Sequence, residues 1–133
     1  MNKKITIAID AMGGENAPHK NIEGLSIFLK KNKEKNDFLF FLYGDEKKIN
    51  EKLEKFKIDK NLVKIIHTAD TVSDEDTPLT AVKNSKNTSM WNSVRAQVDD
   101  SADISLSAGN TGVLLVISRM ILKTMKDVSK PAL

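Results

Sequence analysis

Four short apolar runs, none long enough to be a helix, constrain this chain most. They are KITIAID (4–10), DFLFFLYG (37–44), LVKIIHT (62–68) and ADISLS (102–107). Rich in β-branched or aromatic residues and bounded by turn formers, each reads as a strand. The segments between them carry helical spacing. Ile22, Leu25 and Leu29 share one face behind Pro18, a residue suited to the first turn of a helix. Ile49, Leu53 and Phe56 follow Asp45, an N-cap residue type. TPLTAVKN and TSMWNSVRAQV read as two further helical pieces, the second with Met90, Val94 and Val98 turned inward. A last helix is expected from about Thr111 to Met125. The order β-α-β-α-β-α-α-β-α predicts a three-layer α/β/α fold: a mostly parallel, Rossmann-like sheet with helices on both faces.

A chain of 133 residues with 40% hydrophobic content can bury one core. Its net charge of +3 is mild. The lysines of KKNKEK and DEKKINEKLEKFK alternate with acids and amides, so they read as solvated helix faces and not as a nucleic-acid tract. Arginine occurs only at Arg95 and Arg119. With no cysteine, the chain has no disulfide, thiolate metal site or cysteine nucleophile of its own. The N-terminal apolar run is too short for a signal peptide, and no segment has bilayer-spanning length, so a cytosolic location is the default expectation. The chain stops just after Pro131, where an apolar run begins, and so reads as a fragment.

Two turns carry the chemistry. DAMGGENAP (10–18) and SAGNTG (107–112) each join a strand end to a helix start. In open parallel sheets, ligands sit beyond the carboxyl ends of the strands. Glycines let backbone approach a ligand closely, and a helix N-terminus offers unpaired N–H groups with partial positive charge. Asn110 and Thr111 add short polar side chains. Together these favour a phosphate. The alternative is a pair of ordinary tight turns with helix caps, since neither is a Walker loop or a G-x-G-x-x-G. Lys83, Lys86, Thr88 and Ser89 lie in AVKNSKNTSM, where a lysine neutralises a phosphate as a point charge or the loop is simply solvated. His67 ends a strand on the same edge and is either catalytic or bonded to loop backbone; His19 is the other histidine. Asp70, Asp74, Glu75 and Asp76 lack a recognisable ligand spacing and read as a solvated acidic loop, so no metal is expected.

IAIDAMGGENAP, LYGDE, IIHTAD, KNTSM and SAGNTGVLL occur in the order of a pattern that resembles the PlsX family of acyl-acyl-carrier-protein:phosphate acyltransferases. The resemblance covers essentially the whole chain and makes residues 1–133 the N-terminal part of one larger α/β domain. It departs at Glu15, where the family usually has aspartate, and in Ser85-Lys86-Asn87-Thr88-Ser89-Met90, where the family has a more basic KKDSSM-like stretch. The resemblance implies an isocitrate/isopropylmalate dehydrogenase-like fold and acyl transfer from acyl carrier protein to inorganic phosphate, without a cofactor. It also implies a homodimer, a glycerol-3-phosphate acyltransferase as downstream partner, and a cytoplasmic protein peripheral to the inner face of the membrane. Phosphate binding then falls to Gly109, Asn110, Thr111 and Gly112, with Asp10, Gly13, Gly14 and Asn16 as the neighbouring wall, Ser89 beside them, and Lys86 and Asn110 as the catalytic pair. On this reading the Asn110 amide donates to the anion, and Asn110→Ala weakens phosphate use more than stability. The helix after Gly112 lines an acyl channel, packs in a dimer, or is ordinary core. A phosphotransacetylase-like coenzyme A acyltransferase and a non-enzymatic phosphate- or nucleotide-binding domain are the competing readings.

Overall fold

The computed structural model describes residues 3–35 and 37–131; the apolar start read after Pro131 lies outside the described residues. The strands are β1 (Ile5–Asp10), β2 (Phe38–Gly44), β3 (Val63–His67) and β4 (Ile104–Ser107). They form one sheet in the order β3-β2-β1-β4, and every pairing is parallel. Helices α1 (His19–Lys31), α2 (Glu46–Lys55), α3 (Pro78–Lys83), α4 (Ser89–Val98) and α5 (Thr111–Leu122) connect and follow them.

Strand alternation sorts the core into two layers. Ile9, Phe40 and Leu42 face α1 and α2, packing on Ile22, Leu25, Ile49 and Leu53. Ala8 and Tyr43 face the other way, onto Ala96 of α4. Ile22, Leu42 and Ile49 are fully buried, each contributing roughly 1.5–3 kcal/mol of hydrophobic stabilisation. A third cluster joins α3, α4 and α5 through Ala81, Met90, Val94, Val113 and Ile117. Polar side chains fix the helix starts. Asp45 accepts from the Lys48 N–H at 3.0 Å, and Thr88 from the Trp91 N–H at 3.2 Å. Backbone hydrogen bonding at Lys48 holds the Asp45 carboxyl below its usual range.

The strand order carries the functional consequence. The chain runs from β1 outward through β2 to β3, then crosses back to the opposite flank of β1 as β4. Right-handed crossovers put the helices before and after that reversal on opposite faces. The reversal makes the gap between β1 and β4 the switch point of the sheet, where ligands of open α/β folds bind. Both glycine turns leave from these two strands.

Three local expectations are corrected. Val98, read as inward, is 48% exposed, because it ends α4 just before the chain turns at Asp99–Asp100. The last helix stops at Leu122, not Met125, since Lys123 takes a left-handed φ of 63°. Pro18 stands immediately before α1 and not inside its first turn.

Candidate functional site

Asp10 and Ser107, the last residues of β1 and β4, lie opposite each other in the sheet register. The Ser107 hydroxyl donates to Asp10 Oδ2 at 2.8 Å and accepts from the Gly109 N–H at 3.1 Å. The Met12 N–H donates to Asp10 Oδ1 at 3.3 Å, and the Ser89 hydroxyl at the head of α4 also bonds the carboxyl. One buried carboxylate, 2% exposed, thus ties both glycine turns to α4. Burial pushes its pKa above the ordinary 3.8, and the surrounding donors pull partly back.

That shift has a definite sign. The folded chain holds the Asp10 proton to higher pH than the unfolded chain, so ionising Asp10 removes stability as pH rises from 3.8 through the folded pKa. Asparagine at this position is nearly isosteric and has no such proton. The stability of Asp10→Asn relative to wild type is therefore expected to rise across that window and then level off. Urea midpoints measured over a pH series check this; a gap that does not change with pH contradicts it.

The turns touch backbone to backbone. A Cβ on Gly13 would lie 2.6 Å from Asp10 Oδ2 and 2.9 Å from the Gly109 nitrogen. Gly14 has a left-handed φ of 89°, and a Cβ there would meet the Ala108 carbonyl oxygen at 2.8 Å. Asn21 of α1 fastens the first turn from the other side, donating its amide to the Ala11 and Gly13 carbonyls at 2.8 and 2.9 Å. Sequence reading passed over Asn21; its signal is an amide in the first turn of α1, the helix that the glycine turn leads into.

At the second turn, Asn110 is committed to protein partners. Its Oδ1 caps α5 by accepting from the Val113 N–H at 3.2 Å. Its Nδ2 faces the carbonyls of Ser73, Asp74 and Asp76 at 3.2, 3.3 and 2.9 Å. The amide read as an anion donor is instead satisfied by the acidic loop, which folds over the head of α5. The backbone N–H groups of Thr111 and Gly112 at this turn are first-turn donors with no intrahelical acceptor.

The structure brings Asp10, Gly13, Gly14, Ser89 and Gly109 into one cluster, with Asn110, Thr111 and Gly112 continuing from it. Asn16 is exposed at a left-handed φ of 56°. Lys86 is exposed and stands apart, on a polar cleft of about 760 Å³ shared with Lys83, Asp70 and Asp76. Asp76, whose carbonyl receives the Asn110 amide, joins that cleft to α5. His67 accepts from the Glu46 N–H at 3.2 Å and so holds the start of α2. His19 packs against Phe56 with ring centroids 5.2 Å apart and the planes tilted by 59°. Among the described residues no group of side chains is arranged to hold a metal, and no helix is long and apolar enough to cross a membrane. Of the roles open to α5, core packing is present: Val113 and Ile117 are fully buried.

A family model described as fatty acid synthesis protein matches residues 5–133. The chain belongs to this family. A phosphate acyltransferase of Pelagibacter ubique is 44% identical over 133 residues, covering all of this chain and 38% of the relative. Those of Listeria innocua and Parvibaculum lavamentivorans are 41% and 40% identical over 127 and 134 residues, each matched over 36% of its length. The chain therefore spans a little over a third of these relatives. In this member of the family, Glu15 reaches Lys20 at 3.7 Å beside the first glycine turn. In its SKNTSM stretch, Ser85, Thr88, Ser89 and Met90 are buried, leaving Lys86 and Asn87 exposed.

Proposed function

We propose that this chain forms the phosphate-handling part of an enzyme that transfers a fatty acyl group from acyl carrier protein to inorganic phosphate. The observation that carries the reading is the junction at the switch point, where two glycine turns from neighbouring strands pack against each other at the head of α5. The family and the names of its relatives agree with it. A phosphate at this junction receives the Thr111 and Gly112 N–H groups and the positive end of the α5 dipole. Gly109 gives it close backbone approach, and Asn110 holds the turn in shape. Asp10, Gly13, Gly14, Asn16 and Ser89 form the adjoining wall, and Lys86 supplies positive charge from the neighbouring cleft.

Phosphate is already nucleophilic at neutral pH, so the site's tasks are positioning and charge stabilisation. A phosphate oxygen attacks the thioester carbonyl and a carbon–oxygen bond forms. The tetrahedral oxyanion collapses, the carbon–sulfur bond breaks, and the carrier thiolate leaves and takes up a proton. The product is an acyl phosphate, an activated acyl donor for a glycerol-3-phosphate acyltransferase in phospholipid synthesis. The same reading makes the working protein a cytoplasmic homodimer, peripheral to the membrane where its product is used.

Mixing the protein with acyl carrier protein thioester and phosphate is expected to give acyl phosphate, detected by mass spectrometry, and free carrier thiol in equal amounts. Turnover with a coenzyme A thioester alone transfers the reading to a coenzyme A acyltransferase. Tight phosphate or nucleotide binding with no thioester loss makes the chain a binding domain.

A further inference from the structure

Between α1 and the β1–β4 half of the sheet runs an apolar groove of about 370 Å³. Its floor is Ile7, Ile9, Phe40 and Leu106, and its wall is Gly24, Leu25 and Phe28 of α1. Asp10, Lys20, Asn21 and Ala108 stand at the end nearest the glycine turns. From Lys20 to Phe28 the wall is about 12 Å long at helical rise. Its size and lining are those of a small-molecule site: mostly apolar, with a few polar groups at one end.

Gly24 is the informative residue. Glycine weakens a helix interior relative to alanine, and close packing is the usual reason to find one there. Gly24 lies mid-way along α1, yet a Cβ built on it would meet nothing within 4 Å. Nothing in the structure presses on it; its missing side chain leaves the groove open. Lys20, Gly24 and Phe28 are spaced four apart, so they line one face of α1 along the slot.

We infer that this groove holds the acyl chain of the thioester, with its carbonyl end at the junction of the glycine turns and its methyl end towards Phe28. The inference rests on the acyl-transfer reading above. Continuity supports this occupant over a protein segment. The groove ends at Asp10 and Ala108, which belong to the junction where phosphate is proposed to bind, so a tail lying in it brings its carbonyl to the polar end beside the nucleophile while its methylenes stay on the apolar floor.

The test is Gly24→Leu, whose side chain projects into the slot, with Gly24→Ala as a control for helix effects. Thioester turnover is measured for carrier-bound chains of graded length, together with melting temperature. Each methylene excluded from the groove is expected to lower relative turnover by about fourfold. The long-to-short preference of Gly24→Leu should therefore fall by on the order of tenfold or more against wild type, while Gly24→Ala keeps the wild-type preference. An unchanged preference in a folded Gly24→Leu protein overturns the groove and leaves acyl transfer standing. An unchanged preference with a lower melting temperature overturns it too, and points to protein filling the slot. If wild type turns over no thioester, the functional reading fails and the groove is judged by binding of cis-parinaric acid. Binding lost in Gly24→Leu sustains an acyl site, and equal binding overturns it.

Discussion

Replacing Gly13 with alanine is expected to destabilise the fold by about 3 kcal/mol, the upper end of the usual range for overpacking. The added methyl would sit 2.6 Å from Asp10 Oδ2 and 2.9 Å from the Gly109 nitrogen. Neither neighbour can yield cheaply. The Asp10 carboxylate is held by Ser107 and Met12, and Gly109 belongs to the backbone of the second turn and is itself bonded to Ser107. The two turns must separate, and the switch-point junction opens with them. Gly112 supplies the contrast: its nearest foreign atom is Pro78 Cγ at 3.5 Å, ordinary contact. Gly112→Ala should therefore stay near wild type in stability. Urea midpoints of the two variants test this directly. A Gly13→Ala protein as stable as Gly112→Ala would show that the turns are not in contact.

The same junction marks where sequence reading succeeds and where it stops. The strands were legible because their apolar runs are short and rich in β-branched or aromatic residues, and the parallel sheet because helical spacing alternates with them. Asp45 announced its helix by residue type just before the helical spacing begins. The turns were legible as special places, but not the reason for their glycines. Turn chemistry in one segment carries no information about the neighbour it will touch, and here each turn's neighbour is the other, far away along the chain. Asn21 escaped for a different reason: its partners, the Ala11 and Gly13 carbonyls, are close in sequence but are backbone groups that no residue type marks. The acidic loop shows the limit most clearly. Its carboxylates suggested solvent, whereas its carbonyls are what bind Asn110, and every residue type has a carbonyl. Val98 was misplaced by periodicity alone, which does not register where a helix runs off the end of a sheet.

Asn110→Ala now has a different expected outcome from the one its residue type suggests. The substitution removes an N-cap, about 1 kcal/mol, and the donor that bridges to the 73–76 loop, about another 1 kcal/mol net. A stability loss of about 2 kcal/mol is therefore the primary effect, and weaker phosphate use follows from a displaced turn. Asn110→Asp separates the two contributions. Aspartate caps as well as asparagine, so α5 keeps its start. It has no N–H to offer the Ser73, Asp74 and Asp76 carbonyls, and sets a negative charge against them. The expected order of urea midpoints is wild type, then Asn110→Asp, then Asn110→Ala. Limited proteolysis should cut within 73–76 faster in both variants. An alanine variant with wild-type stability, an uncut loop and a raised phosphate requirement would return the amide to the anion and remove it from the loop.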